Sequence, residues 1–383
     1  MIPGFTSTQS KRPEALFGGI AGAPARMTRS NGCRVWDDAG REYLDTIMAL
    51  GAVALGYAHP AVVRAVEAAV RDGAVGPLPP KVETEVAERL AAVLPVAEST
   101  RFFKSGAEAA AAAVRIARTY TGRDRILTCG YHGWLDWCDG SAGVPQAVRD
   151  LRQEIPFNEV SALEDTVREA EPLAAIVVEP VIDGAPKREW LDALRRVSTA
   201  TSALLVFDEI KTAFRLAAGG VTERFGVKPD LIVLGKALGN GLPVAAVSGH
   251  RDLMNAATRT WISSTLSTEY VSLAAARAVL DTMAAEPVID RIAAAGTRFF
   301  AGLERLAARH QRIVTGVRGI PEMCHLEFVD DLVSAGVAVA AARRGLLFKR
   351  SAYNFMSLAH TDALVDEILG RLDAALEDVN RTC

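Results

Sequence analysis

Three short apolar runs, at 174–178, 203–207 and 231–234, are separated by stretches long enough to hold helices. A strand with one wet face alternates apolar and polar residues, whereas a strand covered on both faces is apolar throughout. The runs therefore predict an α/β fold with a mainly parallel central sheet and helices on both faces. Segments 125–128 and 101–103 fit the same sheet, the second leading into an alanine-rich helix that opens at Gly106. Alanine suits a close-packed helix, so the run 109–113 needs no other explanation.

The chain has 383 residues, too many for one small domain, so a large domain plus a smaller one built from the chain ends is expected. Past about Met283 the text turns to alanine-rich helices, 289–309 among them, and a few short strands. The expected division is 1–60 as an N-terminal segment contributing to a small α+β domain, 61–283 as the large domain, and 284–383 as the C-terminal small domain. Within the first segment, 32–50 reads as an antiparallel unit with its turn at Asp38-Ala39-Gly40. Helices are expected over 60–70 and 82–93, the second broken by Pro95.

Half of the residues are hydrophobic, 23% are charged and the net charge is -3, which excludes the basic balance of a nucleic-acid binder. The longest apolar runs fall far short of the roughly 18 residues that cross a bilayer. The opening MIPGFTSTQSKRP lacks the apolar stretch of a signal peptide, so a cytoplasmic, membrane-free protein is expected. Cys33, Cys129, Cys138, Cys324 and Cys383 never form a CxxC pair, and the six histidines make no HExxH. Neither a disulfide framework nor a metal site is indicated, and the thiols read as free and mostly buried.

Three constellations carry chemistry. Lys104-Ser105-Gly106-Ala107-Glu108 lies where a strand gives way to a helix, and a helix N-terminus offers unpaired N–H groups to a phosphate. The same five residues also read as a plain capped turn. Asp208-Glu209 follows the run 203–207, at the strand end where open α/β sheets place their ligands; an acid there can hold a ring nitrogen protonated or merely cap the next helix. The run 231–234 delivers Lys236 ahead of Ala237-Leu238-Gly239-Asn240-Gly241. A lysine whose pKa is lowered by burial or neighbouring cations forms Schiff bases, although a lysine after a strand is more often a solvated one. Anion site, acid and amine at the strand ends of one sheet are together the parts list for pyridoxal phosphate.

In order along the chain, RVWDDAGREYLD, GYAHPAVVRAV, FFKSGAEAAAAAVRIARTYTGRDRI, YHGW, VVEP, LLVFDEIKTAFR, GVKPDLIVLGKALGNGLPVAAVSG, STLSTEYVSLAAA and SLAHT extend from about Gly32 to His360. On these motifs the chain resembles the class III aminotransferases of pyridoxal-phosphate fold type I, and within them the glutamate-1-semialdehyde aminomutase-like branch. The resemblance implies an aldimine at Lys236 and Asp208 on the pyridine nitrogen. Tyr131 would stack on one ring face and Ile210 pack on the other. The Ser105-Gly106-Ala107 turn would hold the phosphate, with N–H groups from Gly106 and Ala107, and Glu179 would stand near cofactor and substrate. Thr265 resembles the threonine that reaches the phosphate of a neighbouring subunit, which implies a homodimer with shared active sites. The implied activity is amine transfer from a small-molecule donor to a carbonyl acceptor, in specialised metabolism, with the freed Lys236 amine moving the proton.

Departures from the family pattern keep other reactions open. The cup reads SGA where the aminomutase-like proteins have SGT, and DEIKTAFR brings Lys211 and Ala213 where DEVMTGFR is common. Between Tyr131-His132-Gly133 and Gly143-Val144-Pro145 the segment is shorter than the gating loop of true aminomutases, and it carries Trp134, Asp136 and Trp137, residues expected to line the substrate entrance. An aminomutase, an epimerase, or an enzyme making or breaking a carbon bond would use the same parts. The pocket segments 27–31 and 350–354 do not name a substrate, and Arg350 reads equally as a carboxylate binder or a surface arginine.

Overall fold

The computed structural model describes residues 2–169 and 172–382. They form two compact units, one of Pro60–Glu286 and one joining the chain up to His59 with the chain from Pro287 onward.

The sheet of the first unit runs, edge to edge, Ser99–Phe103, Ala245–Gly249, Leu231–Leu234, Leu204–Asp208, Leu173–Val178, Arg125–Cys129 and Arg152–Glu154. The last five pair in parallel. Ala245–Gly249 runs against both of its neighbours, so the sheet is mixed at one edge and parallel elsewhere. Every residue of Leu173–Val178, Leu204–Asp208 and Leu231–Leu234 is buried, which is why these strands are written as unbroken apolar runs.

The helix Gly106–Thr121 supplies much of the cover. Ala109, Ala110, Ala112, Ala113 and Ala117 are buried with Val114 and Ile116. These side chains share one core with Ala175, Val177, Val206, Val233 and Val247 of the sheet. Small side chains let the helix backbone approach the strands closely, and each large one buried there contributes roughly 1.5–3 kcal/mol. Because the helix begins at a strand end, that packing also fixes where its N-terminus points.

In the second unit, Met27–Asn31, Arg34–Asp37, Glu42–Asp45 and Leu346–Leu347 form one sheet, and Val314–Ile320, Met323–Phe328 and Asn354–Phe355 another. The expected turn at 38–40 is present, with Asp37 Oδ1 accepting the N–H groups of Ala39 and Arg41 at 3.0 and 2.8 Å. The second strand stops at Asp45, earlier than the reading to Leu50 required. Asp45 accepts N–H bonds from Ile47 (2.7 Å) and Met48 (3.1 Å), and the Tyr57 hydroxyl at 2.7 Å. These bonds turn the chain into a left-handed stretch, with φ of 46°, 50°, 60° and 82° at Met48, Ala49, Leu50 and Gly51. Gly51 is also sterically required, since a Cβ there would lie 2.8 Å from the Phe355 ring.

Arg350 proves to be an internal clamp of this unit. Its guanidinium donates to the carbonyls of Glu14 and Ala15 (both 3.2 Å), to Ser334 Oγ (2.9 Å) and to the Asp331 carboxylate. Cys33, Cys129, Cys138 and Cys324 are buried free thiols, while Cys383 lies outside the described residues. No helix among the described residues is long and apolar enough to cross a membrane.

Candidate active site

Five strand ends of the large unit bring the candidate residues together. Ser105 and Gly106 follow Phe103, Tyr131 follows Cys129 by two residues, Glu179 follows Val178 directly, Asp208 is itself a strand terminus, and Lys236 stands two residues past Leu234. These are the carboxyl ends of like-directed strands, where open α/β sheets form ligand crevices.

The candidate phosphate cup is a capped helix start. Glu108 Oε2 accepts the N–H groups of Lys104 (3.1 Å) and Ser105 (2.9 Å), and Ser105 Oγ accepts that of Glu108 at 3.3 Å. This capping box leaves the N–H groups of Gly106 and Ala107, in the first turn, outside the intrahelical ladder. The two readings of this segment are compatible: Ser105 is the cap, and the N–H groups of the two residues after it are left free to bind an anion. A Cβ on Gly106 would come within 2.5 Å of Ile210 Cδ1, and one on Gly133 within 2.7 Å of the Ala107 Cβ. The cup is thus packed against Ile210 on one side and the Tyr-His-Gly turn on the other.

Asp208 is 3% exposed and fixed at both oxygens: Oδ1 accepts the Ile210 N–H at 3.2 Å, and Oδ2 faces His132 Nδ1 at 2.8 Å. With a carboxylate opposite, Nδ1 carries the proton and donates it. Ile210 also lies 3.5 Å from where a Cβ of Gly235 would stand, one residue before Lys236. Lys236 has a left-handed backbone, φ 44°, a strained conformation of the kind found at functional sites. Its amine is pushed down to about 8, first by burial and then by the Lys211 cation, with Glu179 and Asp208 opposing and Arg215 adding to the fall. An amine in this range is partly neutral near pH 7, as Schiff-base formation requires. A cup with two open N–H groups, a buried, fixed carboxylate and a lysine of lowered pKa fit the phosphate, ring nitrogen and aldehyde of pyridoxal phosphate.

Glu179 is joined to the cluster by two bonds. Oε2 accepts the Tyr131 N–H at 2.8 Å, and Oε1 pairs with Lys211 Nζ at 2.9 Å. Sequence reading missed this pair and the His132 bond to Asp208, because neither is encoded in local spacing. The Tyr131 ring is 71% exposed, and Trp134 equally so. Trp137 departs from the expected place at an entrance: it is buried, its ring 5.9 Å from that of His132 and inclined by 27°. Thr265 is exposed in a turn ahead of the helix Tyr270–Ala285 and is not drawn into the cluster of its own chain.

The loop after Asp208 is braced by Glu209, whose carboxylate accepts the Val221 N–H and the Thr212 hydroxyl. Burial pushes this acid up to about 7, so the folded chain holds a proton that the unfolded chain releases near its ordinary range. Stability from this group is present at low pH and falls as pH rises toward 7, by about 1.4 kcal/mol per unit of pKa difference. Glu209→Gln keeps an oxygen that accepts the Val221 N–H and offers an amide N–H to the Thr212 oxygen, without a titrating charge. Its unfolding temperature is expected to hold level between pH 5 and 7.5 while that of the parent falls, and parallel profiles would refute the assignment.

A lysine, a buried acid and an anion-binding helix end at one edge of a parallel sheet define a pyridoxal-phosphate enzyme. The aminotransferase class-III family model matches residues 21–376. The glutamate-1-semialdehyde 2,1-aminomutase of Gemmatimonas aurantiaca is 37% identical over 95% of this chain and 92% of its own length. Among solved structures, the Sphingopyxis sp. MTA144 FumI protein in its PLP internal aldimine form superposes with a TM-score of 0.94 at 27% identity, covering 100% of this chain and 94% of that one. An omega-transaminase from Sphaerobacter thermophilus gives 0.88 at 26% identity, covering 99% and 95%. The chain belongs to the class-III aminotransferase family, whose enzymes use pyridoxal phosphate.

Proposed function

We propose that this chain moves an amino group from a small-molecule donor to a separate carbonyl acceptor, with Lys236, Asp208 and Tyr131 as its catalytic residues. Bound pyridoxal phosphate supplies an electron sink for negative charge developing on the substrate. Lys236 Nζ would attach the cofactor, and its amine would carry the proton that leaves the substrate carbon. Asp208 holds a proton at the ring nitrogen. Ser105, Gly106 and Ala107 would hold the phosphate, Tyr131 and Ile210 would flank the ring, and Glu179 orients the Tyr131 backbone. In this reading Thr265 serves the phosphate of a second copy, so the working form is a homodimer, and the reaction takes place in the cytoplasm.

The observation that carries transfer over isomerisation is the segment after Tyr131. Its Trp137 is held in the core against His132 while Tyr131 stands exposed, so the segment has little chain left to fold over the cup. An isomerase must retain its half-reacted substrate, and a closing lid is the usual means. The 37% identity to an aminomutase favours that second reading. The two are separated by adding an excess of donor amine with no acceptor. Transfer predicts full conversion of the cofactor to its pyridoxamine form with one equivalent of keto product released. An unchanged spectrum with isomerised substrate would instead establish the mutase reading.

A further inference from the structure

Two lysines enter the strand-end cluster, and the proposed reaction uses one. Lys211 is buried, and its ammonium is held 2.9 Å from Glu179 Oε1. Glu179 is in turn held at its other oxygen by the Tyr131 N–H. The three strand ends concerned are adjacent in the sheet: Glu179 extends Leu173–Val178, Lys211 lies three residues beyond Leu204–Asp208, and Lys236 lies two beyond Leu231–Leu234. Register binds them further, since Asp208 is paired with Val233 and the Glu209 N–H donates to the Val233 carbonyl at 2.9 Å. Ile210, the neighbour of Lys211, lies against Gly235, the neighbour of Lys236.

We propose that Lys211 is a positioning residue of the site, a fixed cation clamped by Glu179 that disfavours a second positive charge on Lys236 and so favours the neutral nitrogen that bond formation needs. The inference rests on Lys236 as the cofactor lysine. The acid contact of 2.9 Å favours an ammonium on Lys211, and a like charge carried by the neighbouring strand end disfavours a second ammonium while leaving an amine untouched. A lysine beside another cation is one of the recognised routes to a reactive amine. The charged groups bearing on Lys236 are Lys211 and Arg215, which oppose its protonation, and Glu179 and Asp208, which favour it. Since Asp208 is already engaged by His132 and Glu179 by Lys211, the two acids are partly offset where they stand. Burial alone would also lower the Lys236 pKa, so the share that belongs to Lys211 must be measured by changing its charge.

The test reads Lys236 directly. In the cofactor-free protein, trace acylation from pH 6.5 to 10 with peptide mass spectrometry gives the titration midpoint of this one amine. The parent chain is expected near pH 8. Lys211→Met, close in size and uncharged, is expected to raise the midpoint by about one unit, and Lys211→Arg, which keeps the charge, to leave it near the parent value. With cofactor bound, the pH midpoint of the resting absorbance is expected to move in the same direction. A Met variant with the parent midpoint overturns the proposal, as does an Arg variant that shifts as far as Met. If the Met variant does not fold, Lys211→Gln carries the same comparison. No amine donor takes part in either titration, so a failure of the amine-transfer reading would leave these midpoints intact and be seen separately.

Discussion

Lys236→Ala is expected to lower amine transfer by at least 10²–10⁴-fold, the range attached to loss of a positioned proton carrier alone. The larger loss is covalent. Borohydride reduction of the parent holoprotein is expected to fix the cofactor to the peptide containing Lys236, and reduction of the variant to fix none. Such a truncation leaves the fold intact, because the strand Leu231–Leu234 is held by its buried neighbours and by pairing on both edges, with no contribution from the amine. Removing the lysine side chain from a largely buried site also relieves a desolvated charge, so the unfolding temperature should stay level or rise slightly. The result that would sink the assignment is cofactor fixed elsewhere in the variant, above all at Lys211, together with transfer within tenfold of the parent. Lys211 is the sharpest competitor because it is buried in the same cluster. Its ion pair with Glu179 argues against it, since a paired ammonium is a poor nucleophile.

How far the sequence could be read followed from how local each signal was. The fully buried strands were legible because burial on both faces writes them as continuous apolar runs. Ala245–Gly249 escaped notice: it is made of small residues, AAVSG, and its antiparallel pairing has no local signature. Arg152–Glu154 is a three-residue edge strand with the polar text RQE, too short to show a period. The extended reading of residues 46–50 failed because the chain enters a left-handed turn at Met48, and the turn is set by side-chain bonds to Asp45 rather than by propensity. Within the site, Lys236 and Asp208 could be named because each ends a recognisable strand. Partners that meet only in three dimensions could not: Glu179 and Lys211 come from different strand ends, as do His132 and Asp208. Trp137 was misplaced for the same reason, an aromatic residue in a loop giving no indication of which way it turns.

Asp208→Asn tests the electrostatic half of the site. The substitution keeps the size of the side chain and an oxygen able to accept the Ile210 N–H at the present 3.2 Å. It removes the negative charge that would hold a proton on the ring nitrogen, and it changes what His132 faces across 2.8 Å. Loss of one buried group aimed at developing charge typically costs 10²–10³ in kcat, about 3–4 kcal/mol, and a loss in that range is expected here. Substrate contacts are not altered, so the fall should appear in kcat with KM little changed. His132→Asn is expected to give a smaller loss, because that imidazole acts through Asp208, and the double variant should be scarcely worse than Asp208→Asn alone, as residues in contact are not additive. Additive losses in the double variant would show that His132 acts independently of the acid it touches. An Asp208→Asn enzyme within tenfold of the parent would remove Asp208 from the reaction and leave it as the anchor of the Ile210 turn.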